Sequence, residues 1–204
     1  MTPFLTHEGV AAPLEHAHAN TDLITPARFL RRGRRDGFDD ALFADLRGTM
    51  DGDRPFVLDR DGMAAASVLV AGANFGCGSS REHAVWALMD FGFRVVIAES
   101  FADIFYNNAA QNGLLAVSLP ASEIRALWQA CAMNPGMTVK ADLSRQEITY
   151  ADCSARFAID AYRKDMLQQG LSEIAMTLKD LEAVRDFERV RAEDRPWLSH
   201  PKQA

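Results

Sequence analysis

The sequence predicts an α/β fold: a parallel-sheet core flanked by helices, with additional β structure. Three observations predict it. Short apolar, partly β-branched runs recur at "ASVLVA" (66–71), "RVVIA" (94–98) and "LLAVSL" (114–119). Helix-like segments fill the gaps, each closed by a glycine, Gly92 and Gly113. Strands without polar alternation are expected where both faces of a sheet are covered. Strand, helix, strand, helix, strand at this spacing is the pattern of right-handed crossovers.

The first third reads as irregular. In "NTDLITPARFL" (20–30) the turn formers Asn20 and Asp22 precede Pro26, which disfavours helix before it. "DGDRP" (51–55) is a turn cluster and "PFVLD" (55–59) a short strand candidate. After the first apolar run, Ser79 and Glu82 stand at the S-x-x-E spacing of a capping box, followed by Ala84, Leu88 and Phe91 at helical spacing. "SFADIFYNNAAQNG" (100–113) reads as the second helix and "SEIRALWQACAM" (122–133) as the third, stopped by Asn134-Pro135-Gly136. "MTVKADL" (137–143), "QEITY" (146–150) and "ARFAID" (155–160) are strand candidates, and "AYRKDMLQQG" (161–170) is a short helix. From Thr177 the pattern Leu181, Val184, Phe187, Val190 predicts a terminal helix lying on the body. The expected organisation is a single domain over 1–204, with a helical extension from about 177 to 204.

Composition narrows the function. A chain that is 48% hydrophobic and 25% charged is an ordinary globule, and no apolar run approaches the ~20 residues of a membrane span. The N-terminus shows no basic-then-apolar leader, so a cytoplasmic protein without membrane contact is expected. A net charge of −6 argues against nucleic acid as a partner. One segment opposes that average: "ARFLRRGRRD" (27–36) carries Arg28, Arg31, Arg32, Arg34 and Arg35, either a solvated basic loop or a grip for an anionic molecule. Cys77, Cys131 and Cys153 include no C-x-x-C pair, which disfavours both disulfides and an iron–sulfur cluster held by this chain alone.

The chemistry concentrates in "GANFGCGSSREHA" (72–84). Its glycine spacing fits neither the Walker nor the dinucleotide fingerprint. A helix beginning after it would nonetheless offer free N–H groups and partial positive charge to an anion. Arg81 opposes the helix macrodipole there, a conflict that an anionic ligand bound by its planar fork would resolve. The plain structural alternative makes Ser79 an N-cap, Glu82 its reciprocal half, Arg81 a surface side chain, His83 a packed ring and Cys77 a small buried filler.

The full string "NFGCGSSREHA" resembles the signature of the 3-isopropylmalate dehydratase small subunits, the detached swivelling domain of the aconitase superfamily. The resemblance extends through "DFGFRVVIAESFADIFYNN" (90–108), "QNGLL" (111–115) and "FAIDAYRKDMLQQGLSEIAMTL" (157–178), and back to "TDLITPARFL" (21–30) and "DGF" (36–38). It implies a β/β/α swivelling domain and a dehydratase subunit that interconverts 2- and 3-isopropylmalate in leucine biosynthesis. Ser79 would be the general base, Ser80 and Arg81 the carboxylate ligands, and Glu82, His83 and Asp22 supporting or structural residues. No metal is expected in this chain; a [4Fe-4S] cluster would belong to a large-subunit partner.

Three positions depart from the family's N-terminal string: His18, Asn20 and Thr25. The resemblance also places Arg31 and Arg32 where the substrate's side group is selected; an isopropyl group would need room there, whereas an arginine aimed inward would favour another carboxylate. Citramalate or dimethylmalate is therefore the alternative substrate, and a non-catalytic nucleic-acid-binding module is the alternative of another class.

Overall fold

The computed structural model describes residues 1–51 and 53–198. In chain order the elements are β1 (Thr6–Leu14), α1 (Thr21–Ile24), β2 (Met50–Asp51), β3 (Arg54–Pro55), β4 (Ala66–Ala71), α2 (Glu82–Phe91), β5 (Val95–Ala98), α3 (Asp103–Asn112), β6 (Leu115–Ser118), α4 (Ala121–Met133), β7 (Thr138–Asp142), β8 (Glu147–Tyr150), β9 (Cys153–Arg156), α5 (Ala161–Gln169), α6 (Glu173–Thr177) and α7 (Leu181–Asp194). Seven strands form one sheet in the order β6-β5-β4-β1-β7-β8-β9. β1, β4, β5 and β6 run parallel, while β7, β8 and β9 continue the sheet antiparallel as a meander.

Parallel strands need cover on both faces, and their side chains alternate between two buried layers. Leu69 and Val96 face the layer that includes Ala84, Leu88 and Phe105, from α2 and α3. Val68, Val70, Val95 and Ile97 face Ile124, Leu127 and Cys131 of α4 on the other side. Trp128 of α4 donates its indole N–H to the Val70 carbonyl at 3.0 Å, satisfying a polar group carried into that layer.

β1 is the main departure from the sequence expectation. A nine-residue strand lies mid-sheet where irregular chain was expected. Gly9 and Pro13 obscure it. Pro13 is tolerated because β7 pairs only with Thr6–Val10, so Pro13 has a ladder partner on the β4 side alone. Three smaller corrections follow. "PFVLD" is not a strand: Pro55 ends the two-residue β3 and Val57–Asp59 form a 3₁₀ turn. The last strand is Cys153–Arg156, earlier than the "ARFAID" candidate. α7 does not lie on the body: it buries no residue. The final part of the expected extension, 199–204, lies outside the described residues.

Candidate active site

The loop 72–81 leaves the C-terminal end of β4 and runs beside the segment that follows β1. The two strands' parallel pairing is continued by irregular backbone bonds. His18 N–H donates to Ala73 O at 2.8 Å, Gly76 N–H to Ala19 O at 2.8 Å, and Thr21 N–H to Cys77 O at 2.8 Å. Two glycines make the approach possible. A Cβ at Gly72 would stand 2.7 Å from the His16 carbonyl oxygen, and one at Gly76, where φ is +73°, 2.3 Å from the Phe105 ring. Phe75 anchors the loop from the other side: it is fully buried against Phe101 and Phe105, with its N–H on Ser100 O.

Beyond that anchor the loop turns outward, and Ser79 and Ser80 are exposed. The Thr21 hydroxyl donates to the Ser79 carbonyl at 3.2 Å and the Thr25 hydroxyl to the His83 carbonyl at 3.5 Å. These bonds fix the backbone and leave the Ser79 hydroxyl without a hydrogen bond among the described residues. The expected capping box does not form. α2 begins only at Glu82, its N-cap is Arg81 in extended geometry, and no side chain caps it. Glu82 instead accepts from Asn112 Nδ2 at 2.8 Å, while Asn112 Oδ1 accepts from the Trp86 indole at 3.1 Å. The Ala84 N–H donates back to Arg81 O at 3.4 Å, and the N–H groups of Glu82 and His83 are left to solvent or a ligand.

Arg81 is the most distinctive member. Its side chain is only 16% exposed, and its guanidinium pairs with Asp22 on α1, a carboxylate that is 54% exposed. A shielded cation therefore meets a carboxylate lying nearer to water. His83 packs its ring against Phe38 and Trp86, with centroids 5.4 and 4.7 Å away. Burial, with Arg81 adding to it, lowers its pKa below the ordinary 6.5 despite Glu82, favouring the neutral ring. Cys77, expected as a buried filler, is half-buried, with its thiol 3.6 Å from His18 O.

The arginine segment behaves differently. Arg28 pairs with Asp45 at 2.6 Å, Arg32 with Asp40 at 2.5 and 2.9 Å, and Arg34 with Asp90 at 2.7 and 2.8 Å. Arg32 also lies 4.6 Å from the Phe29 ring centroid. Arg31 is exposed, and it forms no ion pair among the described residues. Of the two arginines at issue, Arg31 is the one available to a ligand. With three of the five guanidiniums neutralised locally, the segment presents much less positive charge than its composition suggests.

The departures at 18, 20 and 25 have local explanations. Asn20 caps α1, accepting from Leu23 N–H at 2.8 Å, a task Asp performs equally well. His18 adopts a left-handed φ of +56° and sits 3.1 Å from the Asn74 side-chain amide. Thr25 is buried and bonded to the His83 carbonyl. Among the described residues no three His, Cys, Asp or Glu side chains converge as metal ligands. The three cysteines sit apart, on the site loop, on α4 and on β9, so they do not fit a cluster. A groove of about 400 Å³ lies beside the end of β1, lined in part by Glu15, His16, Arg54 and Arg60, and shares no lining residue with the Ser79 loop. No helix among the described residues is long and apolar enough to cross a membrane.

Sequence reasoning missed Thr21, Thr25 and Asn112 as supports of the site. Their partners are distant in the chain, and the only signal was that all three fall inside the strings that carried the resemblance, Thr25 at a departure from it.

Comparison with known proteins bears directly on this geometry. Residues 1–122 match the aconitase C-terminal domain family, and 173–200 match the C-terminal domain of the 3-isopropylmalate dehydratase small subunit. The chain is 49% identical over 196 residues to a 3-isopropylmalate dehydratase small subunit of Acidothermus cellulolyticus, covering 96% of this chain and 98% of the relative. It is 45% identical over 210 residues to that of Dechloromonas aromatica, covering 97% and 99%. A solved 3-isopropylmalate dehydratase structure from Methanocaldococcus jannaschii superposes with a TM-score of 0.64 at 28% identity, covering 90% of this chain and 99% of the other. Fold, motif and near full-length similarity agree: the chain belongs to the family of 3-isopropylmalate dehydratase small subunits.

Proposed function

We propose that this chain supplies the proton-transfer and carboxylate-binding half of a 3-isopropylmalate dehydratase active site in the cytoplasm, completed by a large subunit. The observation that carries this reading is that a shielded Arg81 and an exposed Ser79, whose hydroxyl has no hydrogen bond among the described residues, both stand at the uncapped start of α2. Ser79 is the general base, and Ser80 and Arg81 hold the substrate's carboxylates.

A serine hydroxyl is a weak acid, so its action as a base needs help. Partial positive charge at the head of α2 and the nearby guanidinium both favour the deprotonated oxygen. Closure by a second subunit would exclude water and strengthen both effects. An incoming carboxylate would take the place of Asp22 on Arg81, exchanging one charge-assisted pair for another. Ser79 would then remove the proton bound to carbon and return it on rehydration. The [4Fe-4S] cluster expected on the large subunit supplies Lewis acidity for the departing hydroxyl.

Arg31, exposed and without an ion pair among the described residues, is the candidate further substrate-binding residue. The test is anaerobic reconstitution with the large subunit of the same organism, assayed on 3-isopropylmalate, citramalate and dimethylmalate. Turnover confined to 3-isopropylmalate is the expected result. Preference for citramalate or dimethylmalate would overturn the substrate assignment, and no turnover on any of them would overturn the reading.

A further inference from the structure

We propose that the C-terminal arm, residues 173–198, is the surface by which this chain is tethered to its large subunit; this rests on the reading above that such a partner exists. The arm's root is fixed to the body at two points. Gln111 of α3 donates to Glu173 at 2.6 Å, and Lys179 pairs with Asp165 of α5 at 2.8 Å. Past Asp180 the chain leaves the body. From Glu182 to Leu198 every residue is exposed, and apolar ones are prominent among them: Val184, Phe187 (64%), Val190, Trp197 (75%) and Leu198. Ile174 and Leu178 extend the stripe toward the root.

Single exposed apolar residues need no explanation, but a run of them with two large aromatics marks a contact surface. Aromatic anchors of this kind carry most of the binding energy at interfaces. A 14-residue helix standing alone is also marginal in water, so a covering partner would stabilise α7 itself.

The choice of occupant follows from how the family matches divide the chain. The aconitase C-terminal domain match ends at 122, whereas 173–200 matches a domain named for the small subunits. A domain that is a separate chain must be held by non-covalent contact, and this additional segment carries the uncovered apolar surface.

The test uses the full chain and the large subunit of the same organism, with increasing small subunit and turnover of 3-isopropylmalate as the readout. For Phe187→Asp we expect the concentration giving half-maximal activity to rise about 30-fold, with an unchanged plateau. Arg125→Ala, at an exposed position of α4 outside the arm, should follow the unmodified chain. Equal melting temperatures would show that the body is intact. A Phe187→Asp curve superimposable on the unmodified one would overturn the proposal, as would a lowered plateau at unchanged half-saturation. Sedimentation of the chain alone as a dimer that Phe187→Asp dissociates would also overturn it, making the arm a self-interface. If the unmodified pair neither associates nor turns over, the functional reading itself fails.

Discussion

Arg81 and Arg32 both form ion pairs with aspartates, yet they sit in different physical settings. Arg32 is 33% exposed against 59% for Asp40, a surface pair screened by water and stacked on Phe29. Arg81 is 16% exposed against 54% for Asp22, so its cation is shielded while its counter-ion remains replaceable. A surface pair contributes little and directs nothing. On the proposed reading, a shielded guanidinium beside a helix start is where a substrate carboxylate would replace Asp22. The density of arginines in 28–35 was the louder sequence signal, and it marks the less chemically directed of the two places.

The comparison can be tested at several levels, beginning where the effect is largest. Gly76→Ala would force a Cβ into the Phe105 ring at a positive φ, displacing the loop that carries Ser79 and Arg81. We expect a loss of about 2–4 kcal/mol in stability by denaturant unfolding, together with a drop in activity. Arg81→Lys keeps the charge but loses the fork. The reconstituted complex should lose about 30-fold in kcat/KM for 3-isopropylmalate, and unchanged kinetics would place Arg81 outside the site. Arg32→Ala should leave kcat/KM within about twofold, and a loss like that of Arg81→Lys would erase the distinction drawn here.

The smallest effect concerns His83. Its folded-state pKa lies below its unfolded value, so the neutral form is favoured on folding. The stability this contributes is complete above pH 6.5 and is lost as pH falls through 6.5 toward the folded pKa. Urea midpoints measured across pH 5 to 8 should fall on the acid side, and less so for His83→Phe. His7 is lowered in the same way, by burial and Arg94, so a residual decline is expected in that variant.

Much of the parallel half was legible because strands buried on both faces leave uninterrupted apolar runs, as at Ala66–Ala71. β1 was not legible, because its glycine and proline suit local packing and the edge beyond β7 rather than any strand pattern. The Ser79–Glu82 spacing suggested a cap, but Arg81 takes extended geometry and Glu82 turns to Asn112 instead. Side-chain spacing cannot encode a partner on another helix. The terminal helix teaches the same lesson on a larger scale: its apolar spacing announces a face that needs cover, not what covers it. At the site, the motif pointed to the residues proposed here to be chemically active, while Thr21 and Thr25, each bonded to a carbonyl 58 residues away, became visible only in the fold.

The central claim is that the Ser79 hydroxyl moves the proton, and the most direct measurement is kcat of Ser79→Ala in the reconstituted complex at saturating large subunit and substrate. We expect kcat to fall by about 10²–10⁴-fold, with half-saturation by the large subunit and melting temperature unchanged. A kcat equal to that of the unmodified complex would contradict the account and leave Ser79 a structural residue.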